Sequence, residues 1–145
     1  MKNQADCEAC WAFAAIGAIE GQYFNTSGKL ISFAAQQLVD CAGPQGGLGC
    51  VGGFAYNAFN YINATGGLEA EDSYPYEDDD NRCRFNQSKV VVKVTGYTNL
   101  TAKDENALQQ AVATIGPISV AIDSNHDSFQ LYKSGSMYVY ILLLR

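Results

Sequence analysis

Residues 3–13, Asn-Gln-Ala-Asp-Cys-Glu-Ala-Cys-Trp-Ala-Phe, constrain this chain more than any other stretch. A polar turn carrying two cysteines runs directly into an apolar, alanine-rich segment, so Cys10 falls at the N-terminus of a helix. The first N–H groups of a helix have no intrahelical acceptors and carry the positive end of its dipole. That combination favours thiolate and makes such a cysteine a better nucleophile. Cys-x-x-Cys also occurs in zinc sites and in redox dithiols. Zinc asks for a second ligand pair at close spacing, whereas Cys41 and Cys50 lie nine residues apart and the single histidine, His126, stands in an unrelated stretch. A thioredoxin-like dithiol follows a strand within a βαβ unit, and only six residues precede Cys7 here.

With 145 residues, 48% of them hydrophobic and 17% charged, the chain can build one compact domain with a real core. A net charge of −6 argues against nucleic-acid binding, which needs a basic face, and supplies no polybasic element for an anionic membrane. Five cysteines and four Asn-x-Ser/Thr sequons, at Asn25, Asn63, Asn86 and Asn99, point to an oxidising secretory route. An odd cysteine count leaves one thiol over, and four cysteines still allow three pairings once Cys10 is set aside. The opening Met1-Lys2-Asn3-Gln4 is polar, so no signal peptide is read there.

Apolar residues on almost every face predict a buried helix over residues 11–24, with Gly17 and Gly21 allowing close approach and Gly28 as its stop. Glu20 is its one charge, either exposed near the helix end or buried and hydrogen-bonded. A second helix is expected over 32–40, without a good N-cap because Ala34 and Ala35 stand where a capping pair would help. Residues 42–53 hold six glycines and a proline and read as loop. An aromatic-rich helix follows over 54–63, its aromatics expected in the core. The acidic run 77–80 reads as a solvated loop. Residues 89–94 alternate as a strand, a Thr101–Asp104 capping box opens a helix to about Ile115, and residues 117–123 read as a further strand.

Gln4, Cys7, Cys10, Trp11, Ala12 and Phe13 together resemble the nucleophile segment of papain-like cysteine peptidases. The likeness continues through Ile19-Glu20-Gly21, Gln37-Leu38-Val39-Asp40-Cys41, Gly49-Cys50-Val51-Gly52-Gly53, Ser73-Tyr74-Pro75-Tyr76 and Gly116-Pro117-Ile118-Ser119-Val120-Ala121-Ile122-Asp123, and is strongest to the cathepsin L-like branch. It implies an α+β, two-lobed fold: a helical lobe over residues 1–98, then the start of a β lobe over 99–145. It further implies thiol endopeptidase chemistry, with Cys10 as nucleophile and Gln4 in the oxyanion hole. Gly52 and Gly53 would pair with an extended peptide, and Phe54, Ala55 and Ala121 would border an apolar pocket with room for bulky side chains. The implied disulfides are Cys7–Cys50 and Cys41–Cys83.

No cofactor or metal is implied. The expected partners are extended peptide or protein substrates, an inhibitory propeptide and cystatin-like inhibitors, and the expected location is lysosomal or extracellular. The segment departs from the family pattern at Ala5, Glu8 and Ala9. Glu8, where the family carries glycine, is expected to strain the turn and to oppose a Cys10 thiolate. The likeness stops near Gly135, where Ser-Met-Tyr-Val-Tyr-Ile-Leu-Leu-Leu-Arg over 136–145 replaces the family's further strands; this tail reads as a substitute C-terminus too short to span a bilayer. The family's catalytic histidine is expected later than His126, so this chain reads as a truncated fragment inactive on its own. The alternative is a non-catalytic pseudopeptidase that binds peptides or inhibitors through half a cleft.

Overall fold

A computed structural model describes residues 2–122, 124–125 and 127–135. Its elements are α1 (Cys10–Ser27), α2 (Ala35–Cys41), α3 (Ala55–Thr65), β1 (Leu68–Glu69), β2 (Val90–Val92), α4 (Glu105–Thr114) and α5 (Asp127–Gln130), with 3-10 turns at Gly43–Gln45, Gly49–Val51 and Gln87–Lys89. The long helix does begin at Cys10. It buries one stripe, Trp11, Ala12, Ala15, Ile16 and Ile19, at the spacing of a single helix face, so it is amphipathic in burial rather than enclosed on every side. Gly28 ends it in the left-handed conformation (φ 69°), its N–H returning to Phe24 O at 2.8 Å. Close approach occurs at Gly21, where a Cβ would lie 2.5 Å from Pro117 Cγ; Gly17 faces open space.

Phe33, Ile16, Leu38, Ile62 and Leu68 are fully buried where α1, α2, α3 and β1 meet. α2 has no side-chain cap. It is held by two fully buried glutamines instead. Gln37 Nε2 donates to Tyr61 Oη and to Gly67 O, both at 3.2 Å, while its Oε1 accepts from Glu69 N at 2.8 Å, joining α2 to α3 and β1. Every polar atom of that amide is thereby satisfied, as burial demands. β1 and β2 pair antiparallel, Leu68 with Val92 and Glu69 with Val90 across a bulge. Glu20 proves to be hydrogen-bonded: it pairs with Lys2 Nζ at 2.6 Å and accepts from Phe33 N at 3.0 Å.

Three sequence expectations are corrected. α4 is capped by Asp104, whose Oδ1 accepts from Ala107 N at 2.9 Å, so the helix starts three residues beyond the Thr101 box. Among the aromatics over residues 54–61 only Tyr61 is deeply buried; Phe54, just ahead of α3, and Tyr56 stack on each other at the surface, centroids 5.2 Å apart. Residues 117–122 form no strand. A strand needs a neighbour for its ladder, and the described bonds of this segment go to a helix: Ser119 Oγ donates to Ala14 O at 2.8 Å. His126 and residues 136–145 lie outside the described residues.

Candidate active site

Cys10 is the first residue of α1, unpaired and exposed. The preceding turn is set by Ala9, fully buried, whose carbonyl accepts from Ala12 N at 2.9 Å and Phe13 N at 3.1 Å. Neither the Cys10 nor the Trp11 N–H has an acceptor among the described residues, as expected for the first turn of a helix. Cys7 is bonded to Cys50 and Cys41 to Cys83. The first bridge brings the Gly-rich loop beside the nucleophile turn, where Glu8 N donates to Cys50 O at 3.1 Å.

Trp11 fixes that loop from beneath. Its Nε1 donates to Gly49 O at 3.1 Å, and its ring lies so close to Gly47 and Gly53 that a Cβ at either would come within 2.8 Å of it. Gly52 has φ 128° and is confined to glycine by its backbone, while Gly53 is confined to glycine by the indole. Neither N–H nor C=O of Gly53 is hydrogen-bonded among the described residues, so the backbone there is open to pair with an extended chain. Next to it, Phe54 is exposed and Ala55 half-buried at the start of α3, whose first turn is tied by Phe54 N donating to Asn57 Oδ1 at 2.9 Å.

Gln4 lies ahead of the turn, six residues before Cys10. Its carbonyl accepts from Tyr76 Oη at 2.8 Å, its side-chain amide has no partner among the described residues, and it lines a cavity of about 390 Å³ with Lys2, Asn3, Phe13, Gly17 and Glu20. Ala121 is exposed in the segment beyond α4; no described contact joins it to Phe54 or Ala55. The sequons are all exposed, but Asn25 Nδ2 donates to Ile115 O at 3.2 Å, whereas Asn86 uses its Oδ1 to accept from Ser88 N at 3.0 Å and Ser88 Oγ at 2.8 Å.

Two readings of the turn change. Glu8 keeps an ordinary negative φ; the left-handed residue is Ala5, φ 51°, two positions before the first cysteine. The acidic run is not merely solvated. Asp78 and Asp80 accept hydrogen bonds from the backbone of Cys7 and Cys50, contacts that composition could not reveal across 71 and 30 residues of separation. Asp40 also escaped sequence reasoning. Its fully buried carboxylate accepts from Gln36 Nε2 at 2.7 Å, Asn81 N at 3.0 Å and Tyr74 Oη at 2.6 Å. Burial first, and donation to Asp40 second, push the Tyr74 phenol up to about 12.

A free thiol on a helix N-terminus, followed by a tryptophan whose ring packs on an unpaired glycine backbone, is matched by comparison with known proteins. The family described as Papain family cysteine protease matches residues 1–141. The chain is 53% identical to cathepsin L2 of Homo sapiens over 135 residues, covering 93% of this chain and 40% of that protein. It is 51% identical to digestive cysteine proteinase 2 of Homarus americanus over 138 residues, covering 95% and 43%. The structure of a digestive procathepsin L 3 from Tenebrio molitor larval midgut superposes with a TM-score of 0.88 at 41% identity, over 96% of this chain and 45% of that one. The chain therefore spans less than half the length of these relatives, and its described elements, mainly helices with a small sheet, accord with the helical lobe and a truncated second lobe of their α+β fold. On both sequence and fold, the chain belongs to the papain family of cysteine proteases, in its cathepsin L-like branch.

Proposed function

We propose that these residues supply the nucleophile and the peptide rail of a papain-type thiol endopeptidase. The observation that carries this reading is the free Cys10 thiol at the start of α1, joined through the neighbouring Trp11 ring to a Gly53 backbone that has no partner of its own among the described residues. In this reading the Cys10 thiolate adds to the scissile carbonyl carbon. The oxyanion is received by the unpaired Cys10 N–H and the Gln4 amide, and one such donor is worth roughly 3 to 4 kcal/mol. The C–N bond then breaks, leaving an acyl-thioester on Cys10 that water hydrolyses. Gly53 aligns the substrate, whereas the Gly52 backbone is taken up within the loop, its C=O accepting from Leu48 N at 2.9 Å and its N–H donating to Gly49 O at 3.4 Å, so Gly52 shapes the turn that presents Gly53.

Phe54, Ala55 and Ala121 border the pocket for the second residue before the cleaved bond. What supports including Ala121 is direction. Ile115 O is held by Gln22 and Asn25, Pro117 packs on Gly21, and Ser119 bonds Ala14, so the segment runs antiparallel to α1 and heads for Cys10.

We assign residues 1–98 to the helical lobe and 99–145 to the start of the second. Extended peptides are the proposed substrates, and a propeptide is a proposed partner because the solved relatives are procathepsins. A lysosomal or extracellular location accords with the disulfides and with glycan attachment at the exposed sequons.

Expulsion of the amine needs a proton that a helix N-terminus cannot supply, and we do not assign that role to His126. Residues 1–145 alone are therefore expected to be alkylated at Cys10 without turning over peptide, a binding half-site rather than an enzyme. The test joins residues 1–135 to the remaining part of the second lobe of a papain-family relative and assays a fluorogenic dipeptide substrate. Hydrolysis lost in Cys10→Ala supports the proposal, and a folded chimera that neither hydrolyses nor labels at Cys10 with a peptidyl epoxide overturns it. Turnover by residues 1–145 alone, abolished in Cys10→Ala yet surviving His126→Ala, overturns the half-site reading.

A further inference from the structure

Two aspartates of the acidic run reach out of their own loop to the bridge that brackets Cys10. Asp78 Oδ1 accepts from Cys7 N at 3.0 Å, and Asp80 Oδ1 accepts from Cys50 N at 2.9 Å. The loop is in turn fixed from behind by α2. Gln36 donates to Asp79 O at 2.7 Å and accepts from Glu77 N at 2.9 Å, and Asp40 Oδ1 accepts from Asn81 N at 3.0 Å. Just beyond it, Cys83 is bonded to Cys41. Two backbone features make the reach possible. Asp78 is left-handed, φ 59°, a conformation that aspartate tolerates better than most residues. Gly49, φ 57°, leaves the seat for Asp80: a Cβ there would lie 1.8 Å from Asp80 Oδ1.

We propose that Asp78 and Asp80 are positioning residues, which carry the rigidity of α2 to both halves of the Cys7–Cys50 bridge and so hold the Cys10 thiol in register with the Gly53 rail. Neither touches the thiol or the place of a peptide. Each acts through a backbone N–H, Asp78 three residues before Cys10 and Asp80 three before Gly53. Hydrogen bonds from an N–H to a carboxylate are stronger than neutral ones, and two of them on opposite sides of one disulfide resist its twisting as well as its separation. The role in catalysis rests on the peptidase reading of Cys10; the clamp itself does not, and its test uses no peptidase activity.

Folded residues 1–145 are treated with dithiothreitol, and reduction of each disulfide is followed by quenching and mass spectrometry, with Cys41–Cys83 as the internal reference. In Asp78→Ala and Asp80→Ala, Cys7–Cys50 is expected to be reduced about tenfold faster with Cys41–Cys83 unchanged, the lower end of the scale of one lost charge-assisted bond. Asp78→Asn and Asp80→Asn keep an acceptor oxygen without its charge, about half the bond, and are expected to fall between parent and alanine, at about threefold. A second route leaves both carboxylates in place: Gly49→Ala evicts Asp80 by steric contact and should reproduce the Asp80→Ala signature. Iodoacetamide alkylation of Cys10 should slow in the alanine variants and recover in part in the asparagine ones. An unchanged Cys7–Cys50 rate in the alanine variants, equal acceleration of both disulfides, or asparagine behaving as alanine does would overturn the clamp, the last by showing that charge rather than the bond is at work.

Discussion

Ala5 carries the strain that the sequence attributes to Glu8. At φ 51° an L-residue with a Cβ pays about 1 to 2 kcal/mol that glycine avoids, less the greater entropy glycine loses on folding. Ala5→Gly is therefore expected to raise stability by about 0.5 to 1 kcal/mol in urea unfolding, whereas Glu8→Gly should not. Tyr74 makes a different statement about stability. Its phenol is raised from 10 to about 12, so the folded state holds the proton more tightly than the unfolded chain. That contribution is complete below pH 10 and is lost as pH climbs from 10 to 12. Unfolding free energy measured across that window should fall, and Tyr74→Phe should flatten the fall without abolishing it, because burial also raises Tyr61 and Tyr76.

Among the elements, α1 was legible because two independent signals coincided: a polar turn ended where an apolar period began, and Gly28 stood where the helix had to stop. α4 was legible in existence but not in its first residue. Thr101 and Asp104 each offer a side-chain oxygen three residues ahead of a backbone N–H, and propensity ranks them too closely to choose. The structure gives the cap to Asp104, whose carboxylate also meets the dipole with the right sign. Asp104→Ala is expected to cost about 1 kcal/mol and Thr101→Ala a few tenths, read by thermal unfolding or by amide exchange in the first turn of α4. Residues 117–123 read as a strand in the sequence; what such a segment pairs with is not local information, and the described partner of residues 117–122 is α1. The Asp78 and Asp80 contacts were hidden for the same reason, since a run of acids says nothing of a backbone N–H waiting 71 residues away.

For the molecule as a whole, the two disulfides close overlapping spans of 43 and 42 residues, linking everything between Cys7 and Cys83 into one covalent frame. Residues beyond β2 have no such tie. α4 buries Ala111 alone, and the chain after it is held to α1 by the bonds of Gln22 and Asn25 to Ile115 O, by Ser119 to Ala14 O, and by Pro117 against Gly21. Few buried contacts and exposed hydrogen bonds are the marks of a region that opens below the global unfolding free energy. Gly21→Ala separates the two parts. The substitution favours α1 by about 1 kcal/mol of helix propensity, yet its Cβ would stand 2.5 Å from Pro117 Cγ and must push the segment away. Hydrogen exchange should therefore quicken over residues 105–121 while α1, α2 and α3 keep their protection and the main thermal transition stays put or rises. Loss of protection across all three helices would instead mean that the segment is part of the core that holds the helical lobe together.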